Sequence, residues 1–409
     1  MSSLEVPDEE IRTRRRRTSS VGHINVGDTA SSGFTTLHTT KQQRKRSKSR
    51  LVELESHSKS DTAIVHKIIV AFQELTYRHT WIYPLIYLGG ILATFYLSTP
   101  ESKTHQTLAR FIIPQYHFSG TDQYGKGGDD FKFVAFYALV FTFIREFLMC
   151  CFLRPIAKFC GIKRESKQKR FMEQTYSMCY YGCTGPIGLW IMSRLPLWYF
   201  NTTQFYINYP HKTHDLYFKV YYLGQAAFWV QQSVVLVLQL EKPRKDFKEL
   251  VFHHIVTIAL IWCSYRFHFT WIGLAIYITM DISDFVLATS KTLNYLNSPI
   301  TGPFFVVFIG VWVYLRHYLN LKILWSVLTE FRTVGEWELN WDTQQYKCYI
   351  SQPITFGLIF ALQLVNIYWL FLIFRILYRY IYVGVTEDER SDDEDESEVS
   401  SEEESKKKN

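Results

Sequence analysis

No two cysteines in this chain are spaced as C-x-x-C, and its opening residues contain no apolar run. The seven cysteines, Cys150, Cys151, Cys160, Cys179, Cys183, Cys263 and Cys348, are scattered and mostly sit in apolar segments. That pattern argues against a disulfide framework or a thiolate metal centre and predicts reduced thiols, packed or facing lipid. The start is acidic and then Arg-rich, so no cleavable signal peptide is expected and insertion should begin at an internal segment. Charge is also missing where a soluble domain would carry it. A mean hydropathy of -0.06 averages polar ends with a middle built from long apolar runs. Aromatics reach 17%, as suits Trp and Tyr rings at a membrane boundary.

A spanning helix needs about 20 mostly apolar residues. Eight candidates meet this, near 81–98, 131–153, 174–195, 217–240, 250–269, 271–291, 302–327 and 353–380. The expected fold is an all-α polytopic membrane protein of about eight transmembrane helices. The fifth and sixth are nearly continuous, so the turn at 267–270 must be tight. Span 2 contains Arg145-Glu146, read as a local structural ion pair.

The net charge of +7 hides an asymmetry, since residues 387–405 hold twelve acids against Arg390 alone and leave about +18 on the rest. The loops after spans 2 and 4 are basic, the latter through Lys242, Arg244, Lys245 and Lys248, which places them and both tails in the cytosol. Two further marks agree. Asn201-Thr202-Thr203 is a glycosylation sequon in the loop after span 3, lumenal in this arrangement. The final Lys406-Lys407-Lys408-Asn409 has the form of a cytosolic dilysine retrieval signal, which predicts residence in the endoplasmic reticulum membrane. Residues 1–65 read as a disordered basic tail. There Arg14–Arg17 stand three and five residues ahead of Ser19 and Ser20, a basophilic kinase pattern. Residues 383–409 read as an acidic, self-repelling tail.

Ionisable side chains inside spans are expensive, so each is a functional candidate. His253-His254 lies about one turn inside the cytosolic end of span 5. Adjacent helical positions diverge by about 100°, so both rings can border one cavity without pointing the same way. Asp281 and Asp284 are three apart and share a face of span 6, which can meet the histidines at similar depth. Two imidazoles with two carboxylates in a low-dielectric pocket form an acid/base site. The bland reading is a polar network that only pins helices. Metal binding is disfavoured, because adjacent histidines diverge too far to chelate as an i, i+4 pair does; none is expected. On span 7, Arg316 and Asn320 share a face, and with His317 they are expected to line the same interior. H-x4-D spacings at His23/Asp28 and His117/Asp122 fall outside the spans and carry no weight.

The run from Lys242 through Asp246-Phe247-Lys248-Glu249 to His253-His254, continued by Tyr277 to Asp284 and by Ser290-Lys291, resembles the signature of ceramide synthases. These are membrane enzymes of the TRAM-LAG-CLN8 class. Tyr222 to Trp229, Tyr314 to His317 and Gln363 to Trp369 resemble the fungal branch. The resemblance implies a six-span catalytic domain around a central cavity at 166–382, preceded by two spans with a lumenal loop at 66–165. It implies N-acylation of a sphingoid base by a fatty acyl-CoA, a co-substrate with no further cofactor, and a very-long-chain acyl preference. The histidines would carry the chemistry and the aspartates would orient them. Partners implied are a small single-span accessory subunit and an identical or paralogous synthase subunit, with no nucleic acid. A departure is Met280 before Asp281, where animal members commonly carry H-D-x-S-D, and Ala288 in the region where they place a later acid. A non-enzymatic lipid sensor or transporter on the same domain is the rival, and the paired His with paired Asp is what separates them.

Overall fold

The computed structural model describes residues 79–238 and 247–382. The tails with Ser19, Ser20, Lys406 and Lys407, and the loop with Lys242, Arg244 and Lys245, lie outside the described residues. Long helices coincide with all eight expected spans. They are α1 (Ile82–Leu97), α3 (Asp129–Phe159), α4 (Glu165–Ser193), α5 (Leu216–Val237), α6 (Phe247–Arg266), α7 (Thr270–Tyr295), α8 (Thr301–Thr329) and α9 (Ser351–Tyr382), with a short α2 (Lys103–Ile112) after α1. Among the described residues the only paired strands are β1 (Gln123–Tyr124) and β2 (His214–Asp215), antiparallel two-residue pieces.

Five of the helices, α3, α6, α7, α8 and α9, are long and apolar enough to cross a membrane by length and composition. α1 has 16 residues and is shorter than its apolar run suggests. α4 and α5 are long enough but carry more polar side chains, among them buried Gln174, Ser177, Lys219, Gln225, Gln231 and Gln232. They are covered by neighbouring helices, so their polar groups meet protein rather than lipid. α7 is the most enclosed of the five. It packs closely on α4 because glycines remove side chains from the seam. A Cβ on Gly185 would lie 3.1 Å from Ile282 Cγ1, and one on Gly188 would lie 2.8 Å from Ile278 Cγ1.

The loops after α2, α4, α6 and α8 interlock into one cap. β1 pairs with β2 across the first two. Lys126 Nζ donates to the His211 carbonyl at 2.9 Å, Tyr209 Oη to the Phe267 carbonyl at 2.6 Å, and His268 Nε2 meets Gln344 Oε1 at 3.2 Å. Beneath the cap, Lys219 and Asp130 form a buried ion pair at 2.8 Å. Lys219 also donates to the carbonyls of Gln115 and Gly125, and Asp130 accepts from Tyr265 Oη, so neither charge is left uncompensated. The Arg145-Glu146 pair is buried at 2.6 Å, and the Thr80 hydroxyl also donates to Glu146. All seven cysteines are free thiols.

Candidate active site

α6 and α7 are joined by the three residues Phe267–Phe269, which forces them to run antiparallel side by side. Counting from that turn, His253 stands thirteen residues up α6 and Asp284 fourteen residues up α7, so they reach the same depth. Both border a cavity of about 310 Å³, together with Arg316, Trp229, Tyr277 and Met280. The cavity descends from this level to the cap, where Leu339, Trp341 and Cys348 line its far end. At 1.5 Å per residue, His253 to the end of α6 is roughly 20 Å. Apart from the polar cluster at its head and a few hydroxyls, the wall is apolar.

Both histidines are buried. The Trp229 ring sits edge-on to each at 5.6 Å, and Trp369 lies 5.0 Å from His253. These indoles hold the imidazoles without neutralising them. His254 Nδ1 lies 2.9 Å from the Leu250 carbonyl. A carbonyl only accepts, so Nδ1 carries the proton and Nε2 keeps its lone pair. That Nε2, and Nδ1 of His253, are buried with no hydrogen-bond partner among the described residues. Two unpaired ring nitrogens in a dry site are available for proton or acyl transfer.

Asp284 is bound to Arg316, with Nη2 to Oδ1 at 2.5 Å. The guanidinium is fully engaged: Nε donates to Ser283 Oγ at 2.6 Å, Nη1 to Asn366 Oδ1 at 3.1 Å, and the plane lies 4.1 Å from the centroid of the Trp312 ring. Arg316 reaches this position from a π-helical turn, Val313–Leu319, inside α8. Such turns re-aim side chains within a helix and recur at functional sites.

The structure divides the residues that the sequence grouped. Asp281 does not border the cavity. It accepts from Gln225 and from Tyr221 Oη at 3.4 Å, and Tyr180 Oη donates to Gln225 at 2.8 Å, which ties Asp281 to α4 and α5. Three helical positions rotate by about 300°, so the two carboxylates stand about 60° apart. In a crowded bundle that is enough to give them different neighbours. His317 and Asn320, also expected in the interior, instead close the seam between α8 and α9. Gln363 Nε2 donates to His317 Nδ1 at 2.8 Å, and Asn320 Nδ2 donates to Gln363 Oε1 at 2.7 Å. Lys248 is exposed at the start of α6, and Asn201 is exposed ahead of a short 3-10 turn on the capped face. The sequence reading missed Ser283, Asn366 and the two indoles. Gln363 and Asn366, three apart in an otherwise apolar span, were the available signal for a polar partner.

A bundle of helices around an apolar cavity, headed by the His253 imidazole and a carboxylate–guanidinium pair, makes a candidate site for lipid chemistry; His254, expected on the same cavity, is buried beside His253 without lining it. The TLC domain model matches residues 170–375, α4 to α9. The chain is 52% identical over 393 residues, 96% of its length and 95% of the relative's, to the ceramide synthase LAG1 of Saccharomyces cerevisiae. It is 51% identical to the sphingosine N-acyltransferase lac1 of Schizosaccharomyces pombe, over 76% of this chain and 81% of that one. Similarity extends to the ceramide synthase hyl-1 of Caenorhabditis elegans, 31% identical over 57% of this chain and 63% of that one. The chain belongs to the ceramide synthase family of TLC-domain membrane proteins.

Proposed function

We propose that the protein transfers a fatty acyl group from acyl-CoA to the amine of a sphingoid base, and that His253 and His254 carry the reaction. The observation that carries this reading is His253 at the head of an apolar cavity with His254 buried beside it, each with an unpaired ring nitrogen. A sphingoid amine is mostly protonated at neutral pH and needs a base before it can attack a thioester, and imidazole is the side chain suited to that task. In the route we favour, a His253 ring nitrogen attacks the thioester carbonyl. The C–S bond breaks and CoA leaves as the thiol, taking the N–H proton from the other ring nitrogen of His253. The deprotonated amine then attacks the acyl-imidazole, the C–N bond to the ring breaks, and His254 Nε2 accepts the proton released by the amine and returns it to the His253 ring. The amide forms and both imidazoles are regenerated.

Asp284 and Arg316 hold the head of the cavity, and Asp281 positions α7 through its ties to α4 and α5. The apolar descent of roughly 20 Å toward the cap receives the acyl chain, and the preference for very long chains rests on the resemblance to the fungal ceramide synthases. CoA docks from the tail-bearing face, cytosolic in this reading, where Lys242, Arg244, Lys245 and Lys248 meet its phosphates. The six-span unit at 166–382 is the catalytic domain, residing in the endoplasmic reticulum membrane with a small single-span subunit and a second synthase subunit. Asn201 is its glycosylation acceptor, Lys406 and Lys407 its retrieval signal, and Ser19 and Ser20 its tail phosphosites. The test is direct: purified protein with labelled acyl-CoA and sphingoid base forms ceramide and equimolar free CoA, and free CoA without amide refutes the reading.

A further inference from the structure

A second cavity, of about 490 Å³, lies beside the one headed by His253, and the chemistry above does not use it. α3 and α6 both pack on α5, and the cavity is the groove between them. Its apolar walls are Phe131 and Val134 of α3, Leu223 and Val230 of α5, and Ile258 and Trp262 of α6. From Arg266 to Ile258 it follows α6 for eight residues, roughly 12 Å. Phe131 and Trp262 are 61% and 47% exposed, so the groove opens sideways to the surrounding bilayer. Tyr222 and Ile261 line both cavities and stand between them.

The end of this groove at the cap is polar and carries uncompensated positive charge. Lys126, Arg266, His268 and Gln344 line it. The carboxylates nearby are already neutralised, Asp130 by Lys219 at 2.8 Å and Asp129 by Lys132 at 2.6 Å. Neither Lys126 nor Arg266 forms an ion pair among the described residues. Lys126 uses two of its three N–H groups, on the His211 carbonyl at 2.9 Å and on His268 Nδ1 at 3.3 Å. Burial lowers its basicity, a penalty that a bound anion offsets. Arg266 makes one long contact, Nη1 to Tyr346 Oη at 3.5 Å. Because His268 Nδ1 accepts from Lys126, its Nε2 donates to Gln344 Oε1 at 3.2 Å, which leaves Gln344 Nε2 free to donate. Two cations and an amide donor at one end of an apolar groove call for an anion on an apolar chain. We infer that this groove binds a membrane lipid with an anionic phosphate head from the leaflet on the capped face. The phosphate sits among Lys126, Arg266 and Gln344, and an acyl chain runs along α5 and α6. A phosphate brings three acceptor oxygens to three separate donors, where a carboxylate brings two. A cationic sphingoid base is repelled by the same pair, and ceramide lacks the anion, so neither lipid of the proposed reaction fits.

The test is a melt of the purified full chain in nonionic detergent with one of four additives: stearoyl lysophosphatidate, stearoyl lysophosphatidylcholine, stearate or inorganic phosphate. Lysophosphatidate at about 100 times its Kd should raise the transition by about 5–10 °C. The other three, at the same concentration, should leave it unmoved. Arg266→Gln should weaken the lysophosphatidate effect about tenfold in concentration, the scale of one lost hydrogen bond to a charged group. Val230→Phe fills the deep end of the groove and displaces about two methylenes of the chain, so it should also weaken binding about tenfold. The two variants act at opposite ends of the groove, so the second keeps the test open if the first fails to fold. An equal shift with lysophosphatidylcholine or with stearate overturns the anionic phosphate head, and an equal shift with inorganic phosphate overturns the lipid. A lysophosphatidate effect unchanged in both variants places the binding elsewhere and overturns the groove. No shift from any additive overturns it in favour of a protein helix in the groove. None of these outcomes depends on the acyl-transfer reading, which the ceramide assay tests separately.

Discussion

Replacing Arg316 with methionine removes the guanidinium but keeps most of its volume, and the structure sets the size of the effect. The variant loses three donated hydrogen bonds, at 2.6, 3.1 and 2.5 Å, and the stack on Trp312. More importantly, it strands the Asp284 carboxylate, which is 4% exposed. Removing one partner of a buried pair costs about 3–5 kcal/mol, mostly as the penalty of the remaining charge. At 2–4 °C per kcal/mol for larger domains, the thermal transition in detergent should fall by about 6–20 °C. Adding Asp284→Leu removes the stranded charge, so the double variant should recover more than half of that loss. N-acylation should stay low in both proteins, because the head of the cavity beside His253 has lost its polar pair. The assay is a fluorescence melt run alongside ceramide formation. A double variant whose shift equals the sum of the two single shifts would show that the pair is not an electrostatic unit, and the reasoning would fail.

Two further outcomes follow from the geometry. Incubating the protein with acyl-CoA and no amine should leave an acyl group on the His253-His254 peptide, seen as a mass increment on that peptide alone; CoA release that requires the amine would rule out the covalent route. In the cap, burial pushes His211 down to about 4 and His268 to about 3, with the nearby Lys126 ammonium acting in the same direction. Both fall below the unfolded value of about 6.5. Their contribution is therefore fully present above pH 6.5 and is lost as pH falls from there toward 4, at up to about 1.4 kcal/mol per unit for each group. A melt series from pH 7.5 to 4.5 should show the loss, and His211→Gln with His268→Gln should flatten it. An unchanged slope in that variant would contradict the assignment.

The spans were legible because the membrane imposes a coarse rule: about 20 apolar residues, with every backbone bond closed inside the helix. Helices stand at all eight places, five of them long and apolar enough to cross a membrane, and the tight turn after Arg266 sets His253 level with Asp284. Residue partners were not legible, because they depend on rotations of tens of degrees that hydropathy does not encode. The i, i+3 spacing put Asp281 and Asp284 on one face, yet 60° sends one to Gln225 and the other to Arg316. The i, i+4 spacing put Arg316 and Asn320 on a shared face expected to line the interior, yet only Arg316 borders the cavity. It could not foresee the π turn that lets Arg316 reach α7 while Asn320 stays with Gln363. The cap was invisible for a different reason, since β1 and β2 are two residues each and join loops about 90 residues apart.

The central claim is that the His253-His254 pair performs the acyl transfer. The measurement that tests it most directly is ceramide formation from acyl-CoA and sphingoid base by His253→Ala and His254→Ala proteins, each purified with a melt within a few degrees of wild type. A general base alone contributes about 10²–10⁴, so each variant should fall at least about 100-fold. Either variant retaining activity within about threefold of wild type would contradict the account.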